Sequence, residues 1–197
     1  MGLRICQVRI TPGFLFLAAF LFYQSTSSFL VTFLLAAALH EGGHLLAARW
    51  RGVPVRALSM TAFGCVLDFV DEALVRDRDL LWIAAAGPLC NLLFALLCVT
   101  PWVGRWRGAA LFGAEHLLLA LFNLLPVAPL DGGQALNTAL RQALPLRRAE
   151  RIADFLTLAV LFPLMALMIL TVLRQRMNGS LLAATVYLMI FFVMKHR

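Results

Sequence analysis

Long apolar runs separated by short charged segments dominate this chain. Six of these runs approach the roughly 20 residues that a helix needs to cross the hydrocarbon core of a membrane. They are Pro12–Tyr23, Ser28–Ala48, Leu80–Val103, Ala109–Val127, Ile152–Leu173 and Ser180–Met194. The pattern predicts an all-α polytopic membrane protein with about six transmembrane helices, of which the first and the last are short.

The segment between the second and third runs has a different pattern. Residues 53–60 and 65–70 are two short β-rich runs joined by Thr61–Gly64, a pattern typical of a hairpin. We therefore expect a small β-hairpin at the membrane surface. Cys65 opens the second run, and the four cysteines show no metal-ligand spacing. They are interpreted as small buried hydrophobes.

The composition supports a membrane protein and excludes an ordinary soluble domain. Of the 197 residues, 62% are hydrophobic and only 14% are charged, whereas globular chains have about 45–50% and 25%. The net charge is +7. The basic residues lie between the apolar runs instead of on one solvated face, which argues against a nucleic-acid partner.

The basic residues also predict an orientation in the membrane. Cytoplasmic loops are enriched in Lys and Arg near the ends of spans. With the N-terminus inside, 13 of the 17 basic residues fall on the cytoplasmic side and four on the other. We therefore expect a multi-pass protein of the cell membrane with both termini in the cytoplasm.

Ionisable side chains inside the second run call for a functional explanation, because each is costly at membrane depth. His40, Glu41 and His44 form the pattern H-E-x-x-H. On a helix, residues four apart share a face, so the two imidazoles can bind one metal ion. Glu41 lies beside them and can take a proton from a metal-activated water. The motif predicts a zinc-dependent hydrolase.

Asp131 is the candidate for a third metal ligand. It lies in the segment Asn123–Gly133, where two prolines and two glycines interrupt the helical pattern. Irregular backbone at membrane depth is tolerated where it is buried in protein or lines a wet cavity. His40 precedes Arg49 by nine residues and Asp131 precedes Arg141 by ten. The predicted orientation therefore places both residues in the cytoplasmic half of the membrane.

These motifs resemble those of the site-2 protease family of intramembrane zinc metalloproteases. The similarity rests on H-E-G-G-H at residues 40–44, on N-x-x-P-x-x-P-L-D-G-G at residues 123–133, and on A-G-P-x-x-N at residues 86–91. It covers roughly residues 28–140. The resemblance implies one Zn²⁺ per chain bound by His40, His44 and Asp131. It also implies Glu41 as the catalytic general base and Asn123 as a substrate-binding residue.

The resemblance further implies the substrate and the surroundings of the site. The substrate is expected to be a transmembrane or membrane-associated protein, added as a strand to the hairpin at residues 53–70. The size and the six spans are most similar to the sporulation branch, whose substrates are membrane-associated transcription-factor precursors. We expect a single integral-membrane metalloprotease domain over residues 1–197, with neither a PDZ nor a CBS domain. A membrane-bound regulator is compatible with this arrangement.

Two other functions remain open from the residues alone. A metal-ion transporter also places His and acid residues in broken helices, and an inactive metal-binding scaffold would share the ligands. The transporter gives no reason for Glu41 to accompany the histidines. Glu115 and His116, in the fourth run, are expected to pair with Arg105 or Arg107 or to form a packed helix contact, with a polar relay or second metal site as the less favoured alternative.

Overall fold

The computed structural model describes residues 7–12, 27–61, 64–71 and 74–174, together with residues 182, 185, 186, 188–190 and 193. The chain forms two compact units, residues 1–121 and 122–197. The elements in chain order are β1 (Gln7–Ile10), α1 (Ser27–Trp50), β2 (Val55–Thr61), β3 (Gly64–Phe69), α2 (Asp77–Cys98), α3 (Ala109–Asn123), α4 (Asp131–Ala143) and α5 (Leu146–Leu173). Helices dominate the described residues, and the strands form one small sheet.

Three helical segments are long and apolar enough to cross a membrane. They are Phe29–Trp50, Asp77–Cys98 and Leu146–Thr171, with mean hydropathies of 1.5, 2.1 and 2.3. These segments correspond to the second, third and fifth predicted spans. α3 is also apolar but has only 15 residues. It ends at Asn123, short of the predicted boundary at Val127, because the backbone turns there.

The predicted total of six spans is not confirmed. Pro12–Tyr23 lies outside the described residues except for Pro12. Ser180–Met194 also lies outside them, apart from seven positions that are all helical. By length and composition, the part of the chain that the structure describes contains three candidate spans.

The two largest differences between predicted span boundaries and helix ends are five and six residues. α2 ends at Cys98, before the predicted Val103, because residues 99–108 form turns. α5 begins at Leu146, before the predicted Ile152. Pro145 precedes it, and the Pro145 carbonyl accepts hydrogen bonds of 2.8 and 3.1 Å from the first turn. Hydropathy marks the apolar part of a helix and therefore misses a charged first turn such as this one.

A three-stranded sheet replaces the expected two-stranded hairpin. β2 and β3 are antiparallel, with Thr61 paired to Gly64 next to the turn, so the hairpin itself is confirmed. β1 adds a third strand parallel to β2, with Gln7 opposite Ala57. The expectation of two strands alone is therefore corrected. The four residues of β1 alternate between polar and apolar, but a run this short is a weak signal.

The sheet is anchored where α1 ends and α2 begins. A buried cluster there consists of Ala48, Val53 and Ile83. The sheet side chains that pack against it are Val55, Leu67 and Phe69. Arg51 donates a hydrogen bond from Nε to Asp79 Oδ1 at 2.6 Å, which joins the two helix ends. Gly52 has a φ of 71°, which lets the chain turn from α1 into β2.

Small residues allow α1 and α2 to approach each other closely. A Cβ at Gly43 would lie 2.8 Å from the Ala86 carbonyl oxygen and 2.9 Å from Cys90 Cβ, so no larger residue fits. The Cys90 thiol donates a hydrogen bond to the Leu39 carbonyl oxygen at 3.3 Å. Close helix approach of this kind is typical of membrane helices with small interfacial residues.

The second unit places an irregular segment between two helices. Residues 124–130 are not helical, as the prolines predict. Two residues of this segment, Val127 and Leu130, form a buried cluster with Leu161 and Leu188. A Cβ at Gly133 would lie 2.8 Å from the Ala128 backbone nitrogen, so this segment packs directly on the first turn of α4. α4 was not predicted, although Leu136 and Leu140 have the four-residue spacing of a helix face.

Candidate metal centre

His40 and His44 lie one turn apart on α1 and present their rings to the same side. Both side chains are buried, with exposures of 4% and 6%. Their Nε2 atoms are 3.1 Å apart, and the ring centroids are 4.8 Å apart. The helical spacing of the motif thus brings the two imidazoles together as predicted.

The pair fits a zinc ion. Two nitrogen ligands at about 2.0–2.1 Å from a tetrahedral zinc lie about 3.3 Å apart, close to the separation of these Nε2 atoms. The other ring nitrogens are held from behind, since His44 Nδ1 lies 2.6 Å from the Ile83 carbonyl oxygen and His40 Nδ1 lies 3.0 Å from the Asn91 amide. Partners of this kind orient histidine ligands in zinc proteins.

Gly87 provides the surface of α2 against which both histidines rest. A Cβ at this position would lie 2.8 Å from His40 Nε2 and closer still to the His44 ring. Only glycine therefore fits opposite the two Nε2 atoms. This contact gives a physical reason for the glycine in the A-G-P-x-x-N motif.

Glu41 lies beside the histidines, and Cys65 of the hairpin reaches it. The Cys65 thiol donates a hydrogen bond to the Glu41 carboxylate. Burial, with the Glu41 charge as the second cause, raises the pKa of Cys65 from 9.0 to about 12. The interpretation of Cys65 as a packing residue missed this contact, because nothing in the local sequence indicates which loop folds over the motif.

A buried chain of polar side chains leads from His40 to α3. The Asn91 amide lies 3.0 Å from His40 Nδ1 and 2.9 Å from His116 Nδ1. Asn91 and His116 are both fully buried. For His116 the structure therefore contains both the polar relay, which was the less favoured alternative, and the expected packed helix contact, since its ring stacks on Phe94 of α2.

Glu115 interacts with a neighbouring helix and not with the predicted arginines. Its Oε1 accepts a hydrogen bond of 2.9 Å from Thr32 Oγ1. Its Oε2 has no hydrogen-bond partner among the described residues. The expected ion pair with Arg105 or Arg107 does not appear among the described salt bridges.

Asn123 and Asp131 lie at the two ends of the irregular segment. Asn123 is the last residue of α3 and Asp131 is the first of α4, and both side chains are half-buried. The positive end of a helix dipole favours an ionised carboxylate at that position. Pro126 and Ala128, within the segment, line a cavity of about 200 Å³. The expectation that this segment delivers the Asp131 carboxylate into an internal site stays a prediction. The role of Asp131 as third ligand and that of Asn123 in substrate binding stay predictions.

Comparison with known proteins gives a consistent family match. The family model described as Peptidase family M50 matches residues 28–107 and 104–167. A Synechocystis protein named as a zinc metalloprotease, sll0528, is 35% identical over 114 residues, which are 52% of this chain and 28% of that protein. A Mycobacterium tuberculosis protein named as the zinc metalloprotease Rip3 is 36% identical over 110 residues, 51% of this chain and 28% of that protein.

Two further similarities cover more of the chain. Stage IV sporulation protein FB of Bacillus subtilis is 24% identical over 151 residues, 75% of this chain and 52% of that protein. The chain thus spans from about a quarter to about half of the length of these relatives. The solved structure of a site-2 protease from Methanocaldococcus jannaschii has the same fold, with a TM-score of 0.72 and 19% identity, over 100% of this chain and 94% of that one.

Proposed function

Because the chain belongs to peptidase family M50, we propose that it is an intramembrane zinc endopeptidase whose substrate is a membrane-embedded or membrane-associated protein. The observation that carries the proposal is the buried pair of imidazole nitrogens 3.1 Å apart on a helix of membrane-spanning length. Neutral imidazoles at this separation suit zinc. The relatives named as zinc metalloproteases support the same metal.

The residues of the site take the following roles in this proposal. His40 and His44 would hold zinc, and Asp131 would supply the third ligand through its carboxylate. Zinc, when bound, would supply Lewis-acid activation of a water molecule at neutral pH. Glu41 does not bind the metal; its carboxylate removes a proton from that water and passes it to the leaving amine. Asn123 hydrogen-bonds the substrate backbone near the scissile bond.

The sheet provides a place for the substrate to bind. β3 is one of the two edge strands of the described sheet, which has the order β1-β2-β3. It carries Cys65, which contacts Glu41. An extended peptide that pairs with β3 would therefore be led towards the general base. Strand addition also requires the substrate to leave its helical form, which exposes the peptide bond to attack.

The chain is proposed to be a multi-pass membrane protein with both termini and the site on the cytoplasmic side. The distribution of 13 basic residues on one side and four on the other supports this orientation. The similarity to the Bacillus sporulation protein supports a substrate such as a membrane-bound transcription-factor precursor. A membrane-bound regulator and a single protease domain over residues 1–197 belong to the same proposal.

Co-expression with tagged single-span membrane proteins from the same genome tests the proposed activity. Wild-type protein is expected to shorten at least one of them, whereas Glu41→Gln, which keeps the shape of the side chain but removes the base, is expected to leave it intact. Metal analysis of both purified proteins should find one zinc per chain. Equal cleavage by both proteins would exclude Glu41 as the base, and a wild-type protein without zinc would refute the proposed mechanism.

A further inference from the structure

Asn91 and His116 form a buried polar chain that the proposed reaction does not use directly. Asn91 Nδ2 lies 3.0 Å from His40 Nδ1, and Asn91 Oδ1 lies 2.9 Å from His116 Nδ1. All three side chains are buried. Buried polar groups are costly unless they are hydrogen-bonded, and His116 Nε2 has no partner among the described residues. Packing alone therefore does not explain a histidine at this position.

Metal binding fixes the proton positions along this chain. A neutral imidazole has one N–H donor and one acceptor nitrogen. His44 Nδ1 faces a carbonyl oxygen at 2.6 Å and so carries the proton, which gives its Nε2 the lone pair that a metal ligand needs. If His40 also binds through Nε2, its proton must lie on Nδ1. Among the side-chain atoms of Asn91, only Oδ1 can accept that proton, so zinc binding requires the amide to turn by 180° from the orientation in which its Nδ2 faces His40.

The same argument extends to His116. With Asn91 Oδ1 turned towards His40, Asn91 Nδ2 faces His116 and must donate to it. His116 Nδ1 is then the acceptor, and its proton lies on Nε2. The oxygen and nitrogen of an amide have nearly the same shape, so a rotation of 180° exchanges them without moving any neighbour. His116 Nδ1 can accept from Nδ2 in the turned amide, so that no polar atom of Asn91 is left unpaired, whereas a residue without an acceptor at position 116 would oppose this orientation.

We propose that Asn91 and His116 are positioning residues for the zinc ligand His40. Asn91 holds the His40 ring in the tautomer that binds metal through Nε2, and His116 holds the Asn91 amide in the orientation that makes this possible. The inference rests on the proposed function, because it requires zinc at His40. It extends the metal centre through α2 to α3.

Two pairs of variants test the proposal, with zinc affinity measured by chelator competition on the purified full-length protein. Asn91→Leu keeps the volume but removes the acceptor, and the zinc dissociation constant should rise about 10- to 100-fold, as for other partners of histidine ligands. Asn91→Asp keeps an acceptor facing His40 and should bind zinc nearly as wild type does.

The second pair gives opposite results for a positioning role and for a packing role. His116 stacks on Phe94 and Phe112, with centroids 5.0 and 4.4 Å apart. His116→Phe preserves this packing but removes the acceptor, so zinc should bind about tenfold more weakly, while the melting temperature of the zinc-free protein should be unchanged. His116→Asn loses the ring but keeps an acceptor near the position of Nδ1, so the melting temperature should fall while zinc affinity is largely retained.

The neighbouring variant Glu115→Gln serves as the matched control. It alters a buried polar group that hydrogen-bonds Thr32 and is expected to leave zinc affinity unchanged. The chain contains only four histidines, so ¹⁵N spectra of the labelled rings can report the tautomer directly. The zinc-loaded wild type should carry the His40 proton on Nδ1, and Asn91→Leu should lose this preference.

The outcomes separate this inference from the proposed function. The positioning role alone would be overturned if His116→Phe bound zinc as tightly as the wild type does. It would also be overturned if His116→Asn lost zinc affinity in proportion to its loss of stability. Absence of zinc from the wild type, or zinc affinity unaffected by His40→Asn, would overturn the proposed function and this inference with it. The two His116 variants test the positioning role even if Asn91→Leu does not fold.

Discussion

Gly87→Ala is expected to abolish zinc binding by placing one methyl group against both histidines. The added Cβ would lie 2.8 Å from His40 Nε2, roughly 0.7 Å inside the ordinary contact distance of about 3.5 Å. It would approach the His44 ring more closely still. Because metal ligands tolerate displacements of only about 0.2 Å, neither ring can keep its position for the metal.

The expected loss of zinc affinity is at least about 100-fold, or about 2.7 kcal/mol. If α2 instead moves away from α1 to make room for the methyl group, Gly43 loses its contact with α2, and zinc affinity should again fall. Chelator competition measures the dissociation constant, and the protease assay should show a parallel loss of cleavage.

Gly42→Ala is the matched control for this prediction. It makes the same chemical change between the two histidines, but a Cβ at Gly42 would meet nothing within 4 Å. Zinc affinity should be unchanged, and the helix should gain up to about 1 kcal/mol of stability. If Gly87→Ala bound zinc as tightly as Gly42→Ala, the close contact between α2 and the histidines would be refuted.

Three further predictions concern the surroundings of the site. The pKa of Cys65 is raised to about 12, so the thiol stays neutral at pH 8 and iodoacetamide should modify it slowly. Glu41→Gln removes the charge that contributes to this shift and should accelerate the modification, which peptide mass spectrometry can follow. Equal rates in the two proteins would contradict the contact between Cys65 and Glu41. The same shift favours the folded state below about pH 9, and this contribution should be lost as the pH rises from about 9 towards 12. Asp79→Asn removes the charge that pairs with Arg51 and should lower the free energy of unfolding by about 1–3 kcal/mol, seen as a lower melting temperature; an unchanged value would mean that the pair does not join the helix ends. Gly133→Ala places a methyl group against the backbone of the irregular segment and should destabilise the protein by about 1–3 kcal/mol. An unaltered melting temperature would show that the segment moves to accommodate the methyl group.

The sequence predicted the features that depend on local periodicity. The second, third and fifth spans follow from hydropathy, and the pairing of His40 with His44 follows from their spacing on one helix. The hairpin follows from two β-rich runs around a turn. In each case the interacting residues are near neighbours in the chain, so the pattern itself contains the information.

The features that the sequence did not predict depend on contacts between distant segments. β1 is recognisable only through its pairing with β2, fifty residues later. Cys65 and His116 acquire their roles from the packing of other elements around the histidine motif. α4 is locally amphipathic, but its glycines and the preceding prolines obscured a helix that begins at Asp131.

The two histidines and the residues that support them lie on three different helices, and this connects metal binding to folding. The rings belong to α1, their partners Ile83 and Asn91 to α2, and His116 to α3. A ligand that binds only the assembled arrangement stabilises it by mass action, by about 2.7 kcal/mol at a free concentration 100 times the dissociation constant. Zinc supply would therefore govern how long the helical core survives in the membrane, as well as how fast it cuts. Chelation should shorten the lifetime of the protein in cells even when its substrate is absent.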